Sequence, residues 1–221
     1  LLSVYQKDGI IDFAQELIAL GWNILASGGT AKALSQAGVP VKDVAELVGG
    51  GAILGHRVVT LSREVHAGLL AKTSDVDIQE LESLGIPFID LVCIDLYPLE
   101  EEIANPGATT KTVIEKTDIG GPTMIRSAAK GRRLVIADPQ DRNIVLHWLK
   151  HGEQDREVFA NALAAKAEAT VAAYCLASAR YHGHGTYEGM VGSQIQVCGY
   201  GENGWQTPAA LRLNNDMNIC S

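Results

Sequence analysis

The sequence predicts an α/β fold: a doubly wound parallel sheet followed by a long helix and an extended tail. Three observations carry this. Short apolar runs alternate with helical patterns as far as about Lys150. The run Phe88–Tyr97 is almost wholly apolar, as in a strand covered on both faces. From about Asp155 to Tyr181 one Ala-rich helical pattern continues without a breaker, longer than a small sheet needs, which suggests packing on a partner chain or a second domain.

In chain order, Leu1–Tyr5 fits a buried strand, and Gly9–Leu20 is a helix with Ile10, Phe13, Ala14, Leu17 and Ile18 on one face, closed by Gly21. Trp22–Ala26 is a second strand running into Ser27-Gly28-Gly29-Thr30 and a helix to about Ala37. A hydroxyl-bearing glycine turn between strand and helix is how α/β proteins cradle phosphate, although a tight turn without a ligand looks the same. Val41–Val44 is a third strand. Leu47–Leu61 is too glycine-rich for a regular element and reads as a mobile loop that closes on something. Helices follow over Ser62–Ala71, Val76–Leu84 and Thr109–Lys116. Arg133–Ala137 is a further strand, and Asp138 caps a helix through His147 to Lys150. Asp95 and Tyr97 stand at the carboxyl end of the strongest strand, where ligands of open α/β sheets bind.

The stretch Thr117–Lys130 is loop feeding helix: Asp118, the pair Gly120-Gly121, Pro122 at a first helical position, then Arg126 and Lys130 on one face. A carboxylate, an anion-ready helix start and two cations suggest a site; a glycine turn with a solvated basic face is the alternative. With 47% hydrophobic and 20% charged residues the chain can bury a sizeable core, and its formal charge of −8 argues against non-specific nucleic-acid binding. That charge leaves room for a small anionic ligand. Cys93, Cys175, Cys198 and Cys220 show no metal-ligand spacing, and no signal peptide or long apolar run is present, so a reducing cytoplasm and no membrane are expected. His147 and His151 share a helix face without a further ligand at matching spacing. Residues 1–182 are expected to form one domain and 183–221 a linker or the start of another.

Four stretches together resemble the IMP cyclohydrolase family: Leu-Leu-Ser-Val-Tyr-Gln-Lys-Asp-Gly at the start, Ala-Ser-Gly-Gly-Thr-Ala-Lys-Ala-Leu at 26–34, Asp-Leu-Tyr-Pro at 95–98 and Thr-Asp-Ile-Gly-Gly-Pro-Thr-Met-Ile-Arg-Ser-Ala-Ala-Lys at 117–130. In that family the domain is the N-terminal half of a bifunctional purine enzyme. The tail's Tyr-Gly-Glu-Asn-Gly-Trp-Gln-Thr-Pro at 200–208 is similar to the opening of its formyltransferase half. The resemblance implies a methylglyoxal-synthase-like sheet in order 3-2-1-4-5, a homodimer, a nucleotide monophosphate as ligand and no metal or organic cofactor. It implies closure of the pyrimidine ring of a formylated aminoimidazole carboxamide ribotide to IMP. Carried over, Ser3, Lys7, Ser27, Gly28, Gly29 and Thr30 hold the phosphate, and Arg57 and Thr60 lie in the substrate loop. Tyr97, Asp118 and Lys130 fall on the catalytic residues, while Asp95, Ile119, Gly120 and Gly121 line the substrate.

The departures are concentrated in the loop. Where the family has Gly-Arg-Val-Lys-Thr-Leu-His-Pro, this chain has Val59 for the lysine and Ser62 for the histidine. A valine neither donates a hydrogen bond nor carries charge, so His56 or Arg63 are the nearest replacements. Tyr5 and Gln6 stand where the family has Ser-Asp, Asp95 replaces an asparagine, and Gly204-Trp205 stands for Pro-His. Two other readings follow: a nucleotide- or sugar-phosphate-binding domain with lost or altered catalysis, and a phosphate lyase of the methylglyoxal synthase type, whose Gly-Gly-Asp loop is not found here.

Overall fold

The computed structural model describes residues 1–198 and 209–214, so the motif at 200–208, Trp205 and Cys220 lie outside the described residues. The chain divides into two compact units, Leu1–Val171 and Ala172–Ser221. In the first, β1 (Leu2–Ser3), α1 (Ile10–Ala19), β2 (Leu25–Ala26), α2 (Gly28–Gln36) and β3 (Lys42–Asp43) come in turn. They are followed by α3 (Val44–Leu47), a 3-10 turn (Leu54–His56), α4 (Arg63–Leu70), α5 (Asp75–Ser83) and β4 (Leu91–Ile94). Then come α6 (Leu99–Ala104), α7 (Thr110–Glu115), α8 (Gly120–Lys130), β5 (Leu134–Ile136), α9 (Asp141–Lys150) and α10 (Arg156–Gly183), which continues into the second unit. The sheet is parallel throughout, in the expected order β3-β2-β1-β4-β5.

Strand alternation builds two cores. Leu91 and Cys93 of β4, with Leu134 and Ile136 of β5, face one way and pack with Phe13 and Leu17 of α1, Leu34 of α2 and Val145 of α9. Val92, Ile94 and Val135 face the other way, against Val65 and Leu69 of α4 and Met124, Ile125 and Ala128 of α8. Two helical layers therefore sandwich the sheet, which is why its strands read as continuous apolar runs. α10 contributes Ala160 and Leu163 to the first cluster, then Ala167 and Val171 to the second.

Several expectations change. The strands are shorter than their apolar runs: β4 keeps Leu91–Ile94 of the ten residues expected as strand, because the chain leaves the sheet at Asp95 and Pro98 is the N-cap of the next helix. The N-cap of α9 is Gln140, not Asp138; Asp138 Oδ1 instead accepts the Gln140 N–H at 2.9 Å, and its carboxylate pairs with Lys166 at 2.7 Å. In the second unit, within the stretch expected to be a linker or the start of another domain, β6 (Gly192–Cys198) pairs antiparallel with β7 (Ala209–Asn214), which sparse apolar patterning did not signal. Among the described residues no helix is long and apolar enough to cross a membrane.

Candidate functional site

Parallel strands release their chain at one edge of the sheet, and the helices that follow begin there. At that edge β2 turns through Ser27 into α2, with Gly28 at φ 47, a left-handed conformation that a side chain would strain. No side chain caps this helix start, since Ser27 Oγ instead meets Ser3 Oγ at 2.7 Å. The first N–H groups of α2 therefore stay directed at the site. Thr30 is buried and works as a clamp: its hydroxyl accepts Val4 N–H at 3.0 Å and donates to Val4 O at 3.1 Å. Lys7 Nζ donates to the carbonyls of Val4 and Tyr5 and lies beside Gly29, where an added Cβ would be 3.9 Å away. Burial pushes the Lys7 ammonium below its ordinary range, opposed by Asp95. An ammonium bonded to neutral carbonyls, beside an uncapped helix start, has the geometry and charge that suit a phosphate.

Asp95, one residue beyond β4, accepts the N–H of Tyr5 and, at 3.2 Å, that of Gln6. It braces the turn after β1, and burial raises its carboxyl above the ordinary range. Tyr97 follows, its ring 5.3 Å from that of Tyr5 and tilted by 59°. Burial, and after it the Asp118 charge, push the Tyr97 phenol up.

The start of α8 supplies a buried carboxyl group, Asp118. Asp118 Oδ1 accepts Gly121 N–H at 3.0 Å, and a Cβ on Gly121 would sit 2.5 Å from Asp118 Oδ2 and 2.7 Å from Leu96 Cδ2. Only glycine lets carboxylate and helix come this close. Burial is the main cause that raises the Asp118 carboxyl; backbone N–H groups of Gly121, Tyr97 and Gly120 oppose it. A Cβ on Gly120 would lie 2.6 Å from Thr60 Oγ1, so the loop packs directly on the helix start. Ile119 is exposed, and its carbonyl accepts the Thr123 hydroxyl at 2.7 Å.

The glycine loop is folded back by an Ile53–Val58 bridge, and Leu54, Gly55 and His56 at its tip are all left-handed. Arg57 reaches Glu115 Oε2 at 3.0 Å, and His56 Nε2 lies 3.3 Å from the other oxygen. Arg57 therefore sits on the rim, tied to α7. Val59 packs against the α4/α8 core cluster, and Ser62 caps α4 by accepting Val65 N–H at 3.2 Å. Both departures from the family pattern thus have structural work. Of the two suggested replacements, His56 is held by Glu115 and Arg63 lies against Glu64 at 3.4 Å.

Lys130 is not brought to this cluster. It ends α8, about 15 Å along the helix from Gly120 at the usual rise. There it lines a recess of about 540 Å³ with Lys72, Arg132, Arg133 and Arg156. Sequence reasoning missed three residues at the site: Tyr5, Glu115 and Lys116, whose Nζ donates to Tyr5 Oη at 3.0 Å. The available signal was the placement of Lys116 two residues before Asp118. A larger groove of about 710 Å³, bounded by Trp22, Lys42, Phe88 and Arg156, lies at the other edge of the sheet, away from these groups. Among the described residues no group of three or more His, Cys, Asp or Glu side chains is placed to hold a metal, and His147 and His151 stack on each other at 3.9 Å.

The bifunctional purine biosynthesis protein PurH of Brucella ovis and that of Brucella melitensis are each 43% identical over 217 residues, covering 94% of this chain. The chain spans about 40% of the length of these relatives. A solved structure described as the crystal structure of ForH is 37% identical, with a TM-score of 0.72 over 85% of this chain and 97% of that one. The MGS-like domain model matches residues 9–123, from the start of α1 through the Asp118–Gly121 turn, and on that match the chain belongs to the MGS-like domain family.

Proposed function

We propose that the chain is an IMP cyclohydrolase domain of purine biosynthesis, closing the ring of formylated aminoimidazole carboxamide ribotide in a homodimer. The observation that carries this is the convergence, at one sheet edge, of the Lys7/Ser27–Gly29 cradle with the Asp118–Tyr97 pair. The likeness to PurH supports the choice of reaction. With the ribotide phosphate in the cradle, the base end lies toward Tyr97 and Asp118. The carboxamide nitrogen attacks the formyl carbon, its proton passes to the Asp118 carboxylate, and the formyl π pair becomes an oxyanion. A proton on that oxygen and loss of the formamide N–H proton then release water and leave the ring C=N bond. A carboxylate with raised proton affinity suits the first transfer. Placing both reacting atoms in one molecule supplies much of the rate.

The test is conversion of the formylated ribotide, followed by the rise in purine absorbance, with IMP binding measured by calorimetry. Turnover that Asp118→Asn abolishes while IMP still binds supports the reading. One observation favours a second reading: Val59, half-buried against the core, brings no charge to the site, as in a nucleotide-binding domain with altered catalysis. IMP binding without turnover would select it.

A further inference from the structure

Lys116 and Tyr5 form a pair that the ring-closure reading does not use. Lys116 follows the last turn of α7, and its Nζ lies 3.0 Å from Tyr5 Oη and 4.9 Å from the centre of the same ring. An ammonium has protons and no lone pair, whereas a phenol has one proton and two lone pairs. The direction of the bond is therefore fixed: Lys116 donates and Tyr5 accepts. Tyr5 is left with its own proton, and among the described residues nothing accepts it.

The geometry points to Tyr5 as a hydrogen-bond donor of the candidate site, polarised by Lys116 and aimed at an oxygen of the ligand held beside Tyr97. A hydroxyl that accepts from a cation donates more strongly in turn. The tyrosine is also held in place before any ligand arrives. Its N–H is bound by Asp95, its carbonyl takes Lys7 Nζ at 2.9 Å, and its ring rests 5.3 Å from that of Tyr97. Tyr5 is thus the residue through which the phosphate cradle and the Asp118–Tyr97 half of the site are joined, and a preorganised donor there needs no rearrangement during reaction. The charged and titratable groups around the pair are Lys7, Asp95, Tyr97, Glu102, Glu115 and Asp118. Glu115, next to Lys116 in the chain, is occupied by Arg57 and His56.

In the reaction proposed above, on which this role rests, the ligand oxygen is the formyl oxygen. As its π pair becomes an oxyanion, the Tyr5 O–H meets the charge, while the carboxamide proton leaves to Asp118. Lys116 acts through Tyr5 and is a positioning residue.

Tyr5→Phe, Lys116→Met, Lys116→Arg and the Tyr5→Phe/Lys116→Met double variant test this in the full chain. Each is measured for IMP affinity by calorimetry, for kcat and KM with the formylated ribotide, and for tyrosine absorbance in the near ultraviolet at neutral pH. Tyr5→Phe is expected to lower kcat by about a hundredfold with little change in KM, as for removal of one oxyanion donor. Lys116→Met should give a smaller loss in kcat, of about tenfold, and Lys116→Arg should restore most of it. In the Tyr5→Phe background Lys116→Met should add nothing. Its difference spectrum against the parent, present in wild type, should likewise disappear there. Unchanged kcat in Tyr5→Phe, losses that multiply, or a difference spectrum that persists without Tyr5 would each overturn the pair. If wild type does not turn over the ribotide, the ring-closure reading fails by itself, and the absorbance difference still decides whether Lys116 polarises Tyr5.

Discussion

Burial holds the Asp118 carboxyl above the ordinary carboxylate range despite the backbone N–H groups that favour its charge. Below the unfolded value of 3.8 the group is protonated in both states. Between that value and the raised folded one, the native state binds the extra proton, so stability falls as pH rises through this window. Asp118→Asn should therefore melt higher than wild type near neutral pH, an advantage that disappears as pH falls below the window; an unchanged melting temperature at pH 7 would mean that the N–H groups balance the burial. The acidic limb of the wild-type rate profile should lie above the ordinary carboxylate range for the same reason. Thr30 makes a contrasting case. Replacing it by valine keeps the volume but leaves Val4 N–H unpaired in a buried place, while Val4 O keeps only the Lys7 ammonium. A loss of about 1–3 kcal/mol in denaturant unfolding is expected, with the cradle loosened as a result.

Among the elements, α8 carries both function and fold, and its two ends can be separated by glycine substitution. At its start, Gly121→Ala pushes a methyl group against Asp118 and Leu96, side chains that can shift. The expected outcome is a folded protein with weak turnover. At its end, a Cβ on Gly131 would meet Leu69 O at 1.9 Å, a backbone atom fixed by α4. Gly131→Ala is expected to cost about 3 kcal/mol or more, read as a lowered denaturation midpoint. Most of this architecture was legible in the sequence, because an apolar run buried on both faces and a glycine after a helix are local signals. The strand order needed the family resemblance. The glycine turns with Ser27, Thr30 and Asp118 were legible for the same local reason. The pairing of Tyr5 with Lys116, 111 positions apart, was not, since only the fold brings β1 and α7 together. Nor could a pattern foretell that Val59 is half-buried against the core, where a lysine restored by mutation would lay its stem on apolar side chains.

At the scale of the whole molecule, α10 runs from Arg156 to Gly183, and Val158 on it is largely exposed. The homodimer proposed above would use this helix. Sedimentation at tens of micromolar (roughly the range in which a weak dimer persists) is expected to give twice the chain mass, and charged substitutions at Val158 and on the same face should reduce it. A monomer at that concentration would remove α10 from consideration as an interface. The site has its own large-scale property through Glu115, which grips Arg57 and His56 in the loop from an exposed position. An ion pair in such a setting is worth at most about 1 kcal/mol, a factor of only about five in the population of the paired geometry. Salt screens such pairs. Dilute buffer should therefore hold Arg57 on Glu115, and concentrated salt should loosen the loop tip from α7.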